Sequence, residues 1–184
     1  MNSDFQTRDF VRISLFAAFI AALGLLPKFD IPFAAGVPVT AQTLGVMLAG
    51  VVLGARNGAL AALLFVFIVF LGMPLLAGGR GGLGILAGPT GGFVLGWIPG
   101  AWVAGYAMAH FRFNSMFVRA LLASIAGGIV VVYGLGISWL SMVSGMKIAD
   151  AALAALVFVP GDLLKAFAVA AIVATLPREH VSSG

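Results

Sequence analysis

The chain of 184 residues contains no cysteine, which rules out a disulfide framework and a thiolate metal site. Ionisable groups are also scarce, since charged residues make up 9% of the chain and only six of them are acidic. With no His-x-x-x-His spacing and with Glu179 as the single glutamate, the sequence predicts no metal site. The patterns Gly-x-Ser-x-Gly and His-Glu-x-x-His are absent, so we do not expect an enzyme.

The chain is rich in apolar residues. They make up 62% of the chain, whereas soluble domains have about 45–50%, and stretches such as residues 60–76 carry no charge. Such runs predict membrane-spanning helices. We expect an all-α, polytopic membrane protein with a single transmembrane domain over residues 1–184. Its six spans would lie near residues 10–26, 41–54, 58–76, 90–109, 118–140 and 159–176. The first is taken as a mature helix, because further spans follow it without a convincing cleavage site.

The formal net charge of +4 reflects an uneven distribution of basic residues. With the N-terminus inside, the inner face receives six arginines: Arg8, Arg12, Arg56, Arg112, Arg119 and Arg178. The outer face receives Lys28, Arg80 and Lys147. This positive-inside pattern predicts that both termini are cytoplasmic. The basic excess is therefore attributed to topology in the lipid bilayer and not to nucleic-acid binding.

The outer connections predicted by this topology are long and irregular, whereas the inner turn at residues 54–58 is short. Residues 27–40 contain three prolines, which forbid a continuous helix. Residues 78–92 are rich in glycine, and residues 144–157 suggest a short interfacial helix. Irregular backbone at membrane depth must be buried in protein or line a cavity. We therefore expect a pocket in the outer half and packing in the inner half.

Asp162 and Lys165 are the clearest indication of a polar ligand. They lie three residues apart at the start of the last apolar run, on one helical face. At membrane depth each ionised side chain costs about 2.5–3.5 kcal/mol on insertion scales. A carboxylate accepts N–H bonds and an ammonium donates to a carbonyl, so the pair would suit a urea-like or amide-like group. The alternative is a self-neutralising ion pair near the interface, with Lys165 reaching outward.

Two features of the glycine-rich segment suggest further ligand contacts. Arg80 would meet a ligand carboxylate through two parallel hydrogen bonds, or else face water and lipid headgroups. The glycines, Gly82 among them, would allow close backbone approach to a ligand, although a helix-breaking role explains each of them equally well. The segment lacks the Gly-Lys-Ser/Thr ending of a phosphate loop.

Four more residues are candidates in the same outer region. Thr40 and Gln42, at the start of the second span, offer uncharged hydrogen bonds, unless they only cap the helix. Phe93 and Trp139 lie near the outer ends of their spans and would pack on an apolar ligand body. The alternative for both is a place in the core or as an interface anchor.

The first span carries two overlapping pairs of small residues, Ala17 with Ala21 and Ala18 with Ala22. Spacings of this kind make a smooth face for close contact between helices. Internal packing is the default explanation, and a surface that docks a partner is the alternative.

Four segments together carry a resemblance to a known family. They are GLLPKFDIP at 24–32, VPVTAQTLGVMLAG at 37–50, GGLG with GPTGG between 81 and 92, and PGDLLK at 160–165. The chain resembles BioY-type proteins, the biotin-specific substrate-binding (S) components of energy-coupling-factor (ECF) vitamin transporters, over nearly its whole length. This resemblance implies a six-helix membrane fold that binds its vitamin near the outer surface of a bacterial cytoplasmic membrane.

The resemblance also implies roles for individual residues. Asp162 and Lys165 would hold the ureido ring of biotin, Arg80 would meet its carboxylate, and the loop at 27–40 would cover the site as a lid. The alanines of the first span would contact the transmembrane coupling protein EcfT, which works with two ABC-type ATPases. Biotin would be the transported ligand, and no cofactor is expected. The alternative is a stand-alone secondary transporter, although no chain of intramembrane acids and no clear inverted repeat favours it.

Overall fold

The computed structural model describes residues 7–28 and 36–176, and this part of the chain is almost entirely helical. Its α-helices are α1 (Thr7–Leu23), α2 (Gln42–Phe70), α3 (Gly91–His110), α4 (Met116–Ile125), α5 (Val132–Ser144), α6 (Ile148–Leu156) and α7 (Val159–Thr175). A 3-10 helix at Leu83–Ala87 precedes α3, and a π-helical segment at Ala126–Val131 joins α4 to α5. The all-α class predicted from composition is confirmed.

The helix α2 consists of two antiparallel arms, residues 42–53 and 55–70. Gly54, between them, has φ 81° and ψ 175°, a conformation that is essentially restricted to glycine. A continuous helix of 29 residues would hold its ends about 42 Å apart. The Gln42 side chain at the first end nevertheless accepts a hydrogen bond from the N–H of Ala77, which lies beyond the second end. Gly58 also packs against the backbone of Gly50. The chain therefore reverses at Gly54, within the predicted inner turn.

The helices pack around α3, which lies along α2 on one side and against the π-helical segment and α5 on the other. The last helix, α7, packs against α4 and α2. We call the end that contains the Gly54 turn the inner end, in accordance with the predicted topology. Val51, Ala104 and Val169 belong to one apolar cluster and have no exposed surface. They close the centre of the bundle toward the inner end.

The opposite, outer end is irregular. The helix α2 ends at Phe70, six residues before the boundary predicted from hydrophobicity, and α1 ends three residues early. Gly72, with φ 105°, and Pro74 stop α2. The non-helical residues Leu76 and Ala77 are only 3% and 1% exposed. These residues are apolar and buried without being helical, and hydrophobicity alone does not distinguish that state from a span.

The first turn of α7 carries a buried acidic residue, Asp162. Pro160 lies in the first turn, where its missing N–H leaves no bond unmade. Asp162 lies in the same turn, where the helix dipole favours a negative charge. The preceding helix α6 is the short helix predicted within residues 144–157, and it is bent by 55° from α7.

Several of these helices meet the requirements for crossing a membrane. The helix α3 and the continuous stretch Met116–Ser144 are long and apolar enough, and so is the bent pair α6–α7 taken together. The 29 residues of α2 also pass by length and composition, but they belong to two arms because the chain reverses at Gly54. The fold is that of a multi-pass membrane protein. The number of six crossings and the cytoplasmic location of both termini stay predictions.

Candidate functional site

Three helices bring polar side chains together around Asp162. Tyr133 of α5 donates a hydrogen bond from its hydroxyl to Asp162 Oδ2 at 2.6 Å. Lys165 Nζ lies 2.8 Å from Asp162 Oδ1 and forms an ion pair with it. Thr43 of α2 completes the ring, since its Oγ1 donates to Asp162 Oδ1 at 3.0 Å and accepts from Lys165 Nζ at 3.0 Å. Both carboxylate oxygens therefore have protein donors.

The charged pair is turned toward the protein interior. The side chains of Lys165 and Asp162 are only 16% and 6% exposed. A buried ion pair is tolerated when its remaining hydrogen-bonding capacity is also satisfied, which Thr43 and Tyr133 accomplish here. The two charges neutralise each other, but Lys165 does not reach out to the membrane interface.

A cavity lies beside this polar ring. Of the predicted ligand contacts, six side chains line it: Thr40, Gln42, Arg80, Phe93, Asp162 and Lys165. Its volume is about 60 Å³, which leaves room for roughly four water molecules. Residues 37–40, the end of the predicted lid at 27–40, form part of the wall. Residues 29–35 of that lid lie outside the described part of the chain.

Arg80 occupies another part of the cavity wall. Its Nη1 donates to Thr90 Oγ1 and its Nε to the carbonyl oxygen of Ala77, each at 3.4 Å. The backbone of Arg80 exchanges two hydrogen bonds with Leu76, at 3.0 and 3.2 Å. The guanidinium is therefore held at the cavity by a short turn of the chain.

Gln42 lines the cavity, but its amide is largely used by the protein itself. Its Nε2 donates to the carbonyl oxygens of Ile20 and Leu75, at 3.2 and 3.1 Å. Its Oε1 accepts from the N–H of Ala77 at 3.0 Å, and the residue has no exposed surface. Both amide hydrogens and one oxygen lone pair are thus satisfied. A direct contact of Gln42 with a ligand stays a prediction, and in this structure one lone pair of Oε1 is left for it.

Two of the predicted contact residues do not line the cavity. Trp139 donates from Nε1 to the carbonyl oxygen of Gly88 at 3.1 Å, and it packs on the start of α3. Gly82 donates its N–H to the carbonyl oxygen of Val69 at 2.8 Å. Trp139 therefore supports the glycine-rich segment, and Gly82 ties that segment to the end of α2. Their contact with a ligand stays a prediction.

Aromatic rings form the apolar part of the wall. Phe93 meets Tyr133 and Phe158 edge to face, with ring centroids 6.0 and 6.4 Å apart. Trp97 also lines the cavity and is 5% exposed. Its Nε1–H has no hydrogen-bond acceptor among the residues that the structure describes. A buried indole N–H usually finds a partner, so this donor is available to a bound molecule.

Sequence reasoning missed Thr43, Thr90, Trp97 and Tyr133 as site residues. The available signal was weak, since threonine and tryptophan are ordinary residues at helix starts and in membrane helices. Tyr133 offered the best indication, because a tyrosine in the middle of an apolar helix needs a partner for its hydroxyl. Its partner Asp162 lies 29 residues away, and no local pattern identifies it.

The alanines of α1 divide between two faces. Ala17 is 5% exposed and belongs to the core, and Ala21 packs against that core. Ala18 and Ala22 are exposed on the outside of the bundle. The prediction that all four form one docking face is therefore corrected, because helical spacing turns the first pair inward.

Comparisons with known proteins find a matching family model and named relatives. The BioY family model matches residues 1–181. A Rhizobium etli protein named biotin transporter BioY is 49% identical over 166 residues, which cover 88% of each chain. A Rhodobacter capsulatus protein of the same name is 45% identical over 185 residues, which cover 96% of each chain.

A solved structure shares the fold. The crystal structure of the S-component for biotin from an ECF-type ABC transporter matches with a TM-score of 0.86 and 30% identity. The match covers 95% of this chain and 93% of that one. These relatives are transporters or transporter components and not enzymes, and no cofactor is expected. The resemblance deduced from the four sequence segments is thereby confirmed: the chain belongs to the BioY family.

Proposed function

We propose that this protein is a substrate-binding component that captures biotin at the outer face of a bacterial cytoplasmic membrane and delivers it inward together with an ECF module. The observation that carries the proposal is the inward-facing ring of Asp162, Lys165, Thr43 and Tyr133 beside a cavity. The names of the relatives and of the matching structure support biotin as the ligand.

The ureido ring of biotin is the chemical complement of the charged pair. Its two N–H groups are donors that a carboxylate such as Asp162 accepts, and its carbonyl oxygen accepts from an ammonium such as Lys165. In the structure these two side chains satisfy each other at 2.8 Å. A bound ureido group would therefore exchange an internal ion pair for two sets of charge-assisted hydrogen bonds. Tyr133 would keep Asp162 oriented during this exchange.

The remainder of the ligand would lie along the rest of the cavity wall. Phe93 and Trp97 supply an apolar surface for the thioether ring and the aliphatic chain. Arg80, with Thr90 at its side, supplies a cation for the terminal carboxylate. A ligand with one neutral polar end and one anionic end fits this distribution of groups.

Binding requires the cavity to widen. Ligand sites usually enclose about 300–1,000 Å³, whereas this cavity has about 60 Å³. Residues 37–40 line it and form the end of the loop at 27–40 that we propose as a lid. Movement of this segment would admit the ligand, and its return would exclude water from the ion-paired groups.

Delivery to the inside would need partner proteins. The cavity stands over the packed cluster that contains Val51, Ala104 and Val169, none of which has exposed surface. A ligand bound beside Asp162 therefore has no open route through the bundle. The EcfT-type coupling protein would provide that route by contacting the exposed Ala18 and Ala22, and ABC-type ATPases would supply the energy.

Calorimetric titration of the purified full chain in detergent tests the binding step. We expect saturable binding of biotin, no binding of thiamine or riboflavin, and loss of biotin binding in Asp162→Asn and Lys165→Ala. Lys147 and Asp150 are also three residues apart in a helix start, but both are exposed. Lys147→Ala and Asp150→Asn are therefore matched controls that should bind as the parent does.

The same protein preparation distinguishes the alternative transport mechanism. In liposomes that contain this chain alone, an S component should bind biotin without accumulating it, and accumulation should appear when EcfT and the ATPases are added. Biotin accumulation driven by an ion gradient with this chain alone would overturn the dependence on an ECF module. Absence of biotin binding by the purified protein would overturn the proposed ligand.

A further inference from the structure

Gln42 lies at a junction of three segments that are far apart in sequence. Its side-chain amide joins the carbonyl oxygen of Ile20 in α1 to the carbonyl oxygen of Leu75 and the N–H of Ala77, in the segment after α2. Gly24, after α1, packs closely against this junction. A Cβ on Gly24 would collide with the Leu75 carbonyl oxygen and would lie 2.9 Å from Gln42 Nε2. Gln42 has no exposed surface. Its amide therefore fixes the backbone on both sides of Leu76.

The segment that Gln42 fixes is also the segment that presents Arg80. Ala77 is held from both sides, because its N–H binds Gln42 Oε1 and its carbonyl oxygen accepts from Arg80 Nε. Leu76, the residue between the two Gln42 contacts, exchanges backbone hydrogen bonds with Arg80. A continuous series of hydrogen bonds thus runs from the Gln42 amide to the Arg80 guanidinium. The series does not include the Asp162 and Lys165 side of the cavity.

We propose that Gln42 is a positioning residue that holds Arg80 in register for the carboxylate of the ligand, and that it thereby sets the preference for an anionic ligand. The inference rests on the proposed function, because it requires Arg80 to meet a ligand carboxylate. Gln42 itself makes no essential bond to the ligand. Its removal therefore affects one end of the ligand and leaves the recognition of the ureido ring intact.

A pair of ligands separates this role from a general structural one. Biotin and its neutral carboxamide share the ureido ring and differ in charge at the other end. The parent protein should bind biotin about tenfold or more tightly than the carboxamide, since hydrogen bonds to charged groups are the stronger ones. In Gln42→Leu this preference should fall to within about twofold, with carboxamide binding almost unchanged. An equal loss for both ligands would overturn the proposal.

A double-mutant cycle tests whether Gln42 acts through Arg80. In an Arg80→Gln background, where the carboxylate contact is already lost, Gln42→Leu should change biotin affinity by less than about twofold. Additive effects of the two substitutions would show that Gln42 acts independently of Arg80, and would overturn the proposal. Ser124→Ala is a matched control, because Ser124 is a buried polar residue that does not line the cavity. It should leave the affinities for both ligands unchanged.

A conservative variant keeps the experiment decisive if Gln42→Leu does not fold. When Gln42→Glu is protonated, it retains an acceptor for Ala77 and one donor for Leu75 or Ile20. It should fold and retain part of the preference for biotin. A Gln42→Glu protein that loses the ureido recognition common to both ligands would also contradict the proposal. If the parent protein bound neither ligand, the proposed function would fail before this inference was tested.

Discussion

Tyr133 donates to one carboxylate oxygen of Asp162 at 2.6 Å, and Lys165 and Thr43 donate to the other. Asp162 is 4% exposed, so these three groups replace the water that an ionised carboxylate would otherwise have. In the binding that we propose, the hydroxyl of Tyr133 would hold the second oxygen while a ligand competes with Lys165 for the first.

Tyr133→Phe should weaken biotin binding about tenfold and lower stability by about 1–3 kcal/mol, because a buried carboxylate oxygen loses its donor. Calorimetry and thermal unfolding in detergent measure the two effects. Tyr106→Phe is the control, since Tyr106 is 46% exposed on α3 and does not line the cavity. Unchanged biotin binding in Tyr133→Phe would show that Asp162 is oriented without the hydroxyl.

Removal of one charge of the Asp162–Lys165 pair should be more damaging to stability than removal of both. Lys165→Met leaves a buried carboxylate without its counter-ion, at a cost of about 3–5 kcal/mol, whereas the double variant Asp162→Asn with Lys165→Met leaves no charge. Thermal unfolding without ligand should therefore rank the double variant above Lys165→Met. All of these variants should fail to bind biotin. A double variant less stable than Lys165→Met would contradict the dominance of the uncompensated charge.

The two faces of α1 predict opposite outcomes for two neighbouring alanines. Ala18→Leu adds volume on the exposed face and should reduce copurification with EcfT, while biotin binding stays unchanged. Ala17→Leu adds volume in the core, where overpacking costs about 1–3 kcal/mol, and should lower the unfolding temperature. If Ala18→Leu left copurification with EcfT intact, the exposed pair would not be the docking face.

The turn at Gly54 should tolerate no side chain. At φ 81° and ψ 175° a Gly54→Ala substitution should cost about 1–3 kcal/mol, because residues with a Cβ are strained there. Gly134→Ala is the control, since Gly134 lies within α5 with open space around it. It should be neutral or stabilising, because alanine favours the helix by about 1 kcal/mol over glycine. Thermal unfolding of the two variants compares them directly, and equal effects would argue against the strain.

The positions of the helices, of the inner turn and of the charged pair could be predicted, because each depends on local sequence. Apolar runs located the helices, glycines located the reversal near Gly54, and the cost of intramembrane charge identified Asp162 and Lys165. The boundary errors also have a local cause: Leu76 and Ala77 are apolar and buried without being helical. Composition distinguishes segments that avoid water from segments that face it, but it does not distinguish a buried loop from a membrane-spanning helix.

The partners of the charged pair depended on how the helices rotate and slide against each other. Thr43 and Asp162 are 119 residues apart, and their meeting is set by the packing of α2 against α7. For the same reason the sequence did not show that the side chains of Gln42 and Trp139 bind backbone. Polarity identified these residues as constrained, but only the packed fold shows which atoms constrain them.

The reversal at Gly54 also bears on the order of folding. The two arms of α2 are adjacent in sequence, so little chain entropy is lost when they pair, whereas contacts between distant residues cost more and form more slowly. The helical hairpin can therefore assemble while later helices are still being synthesised. The contacts of Asp162 and Lys165 with Thr43 must wait for α7. The binding site that we propose would therefore be complete only after α7 has been synthesised.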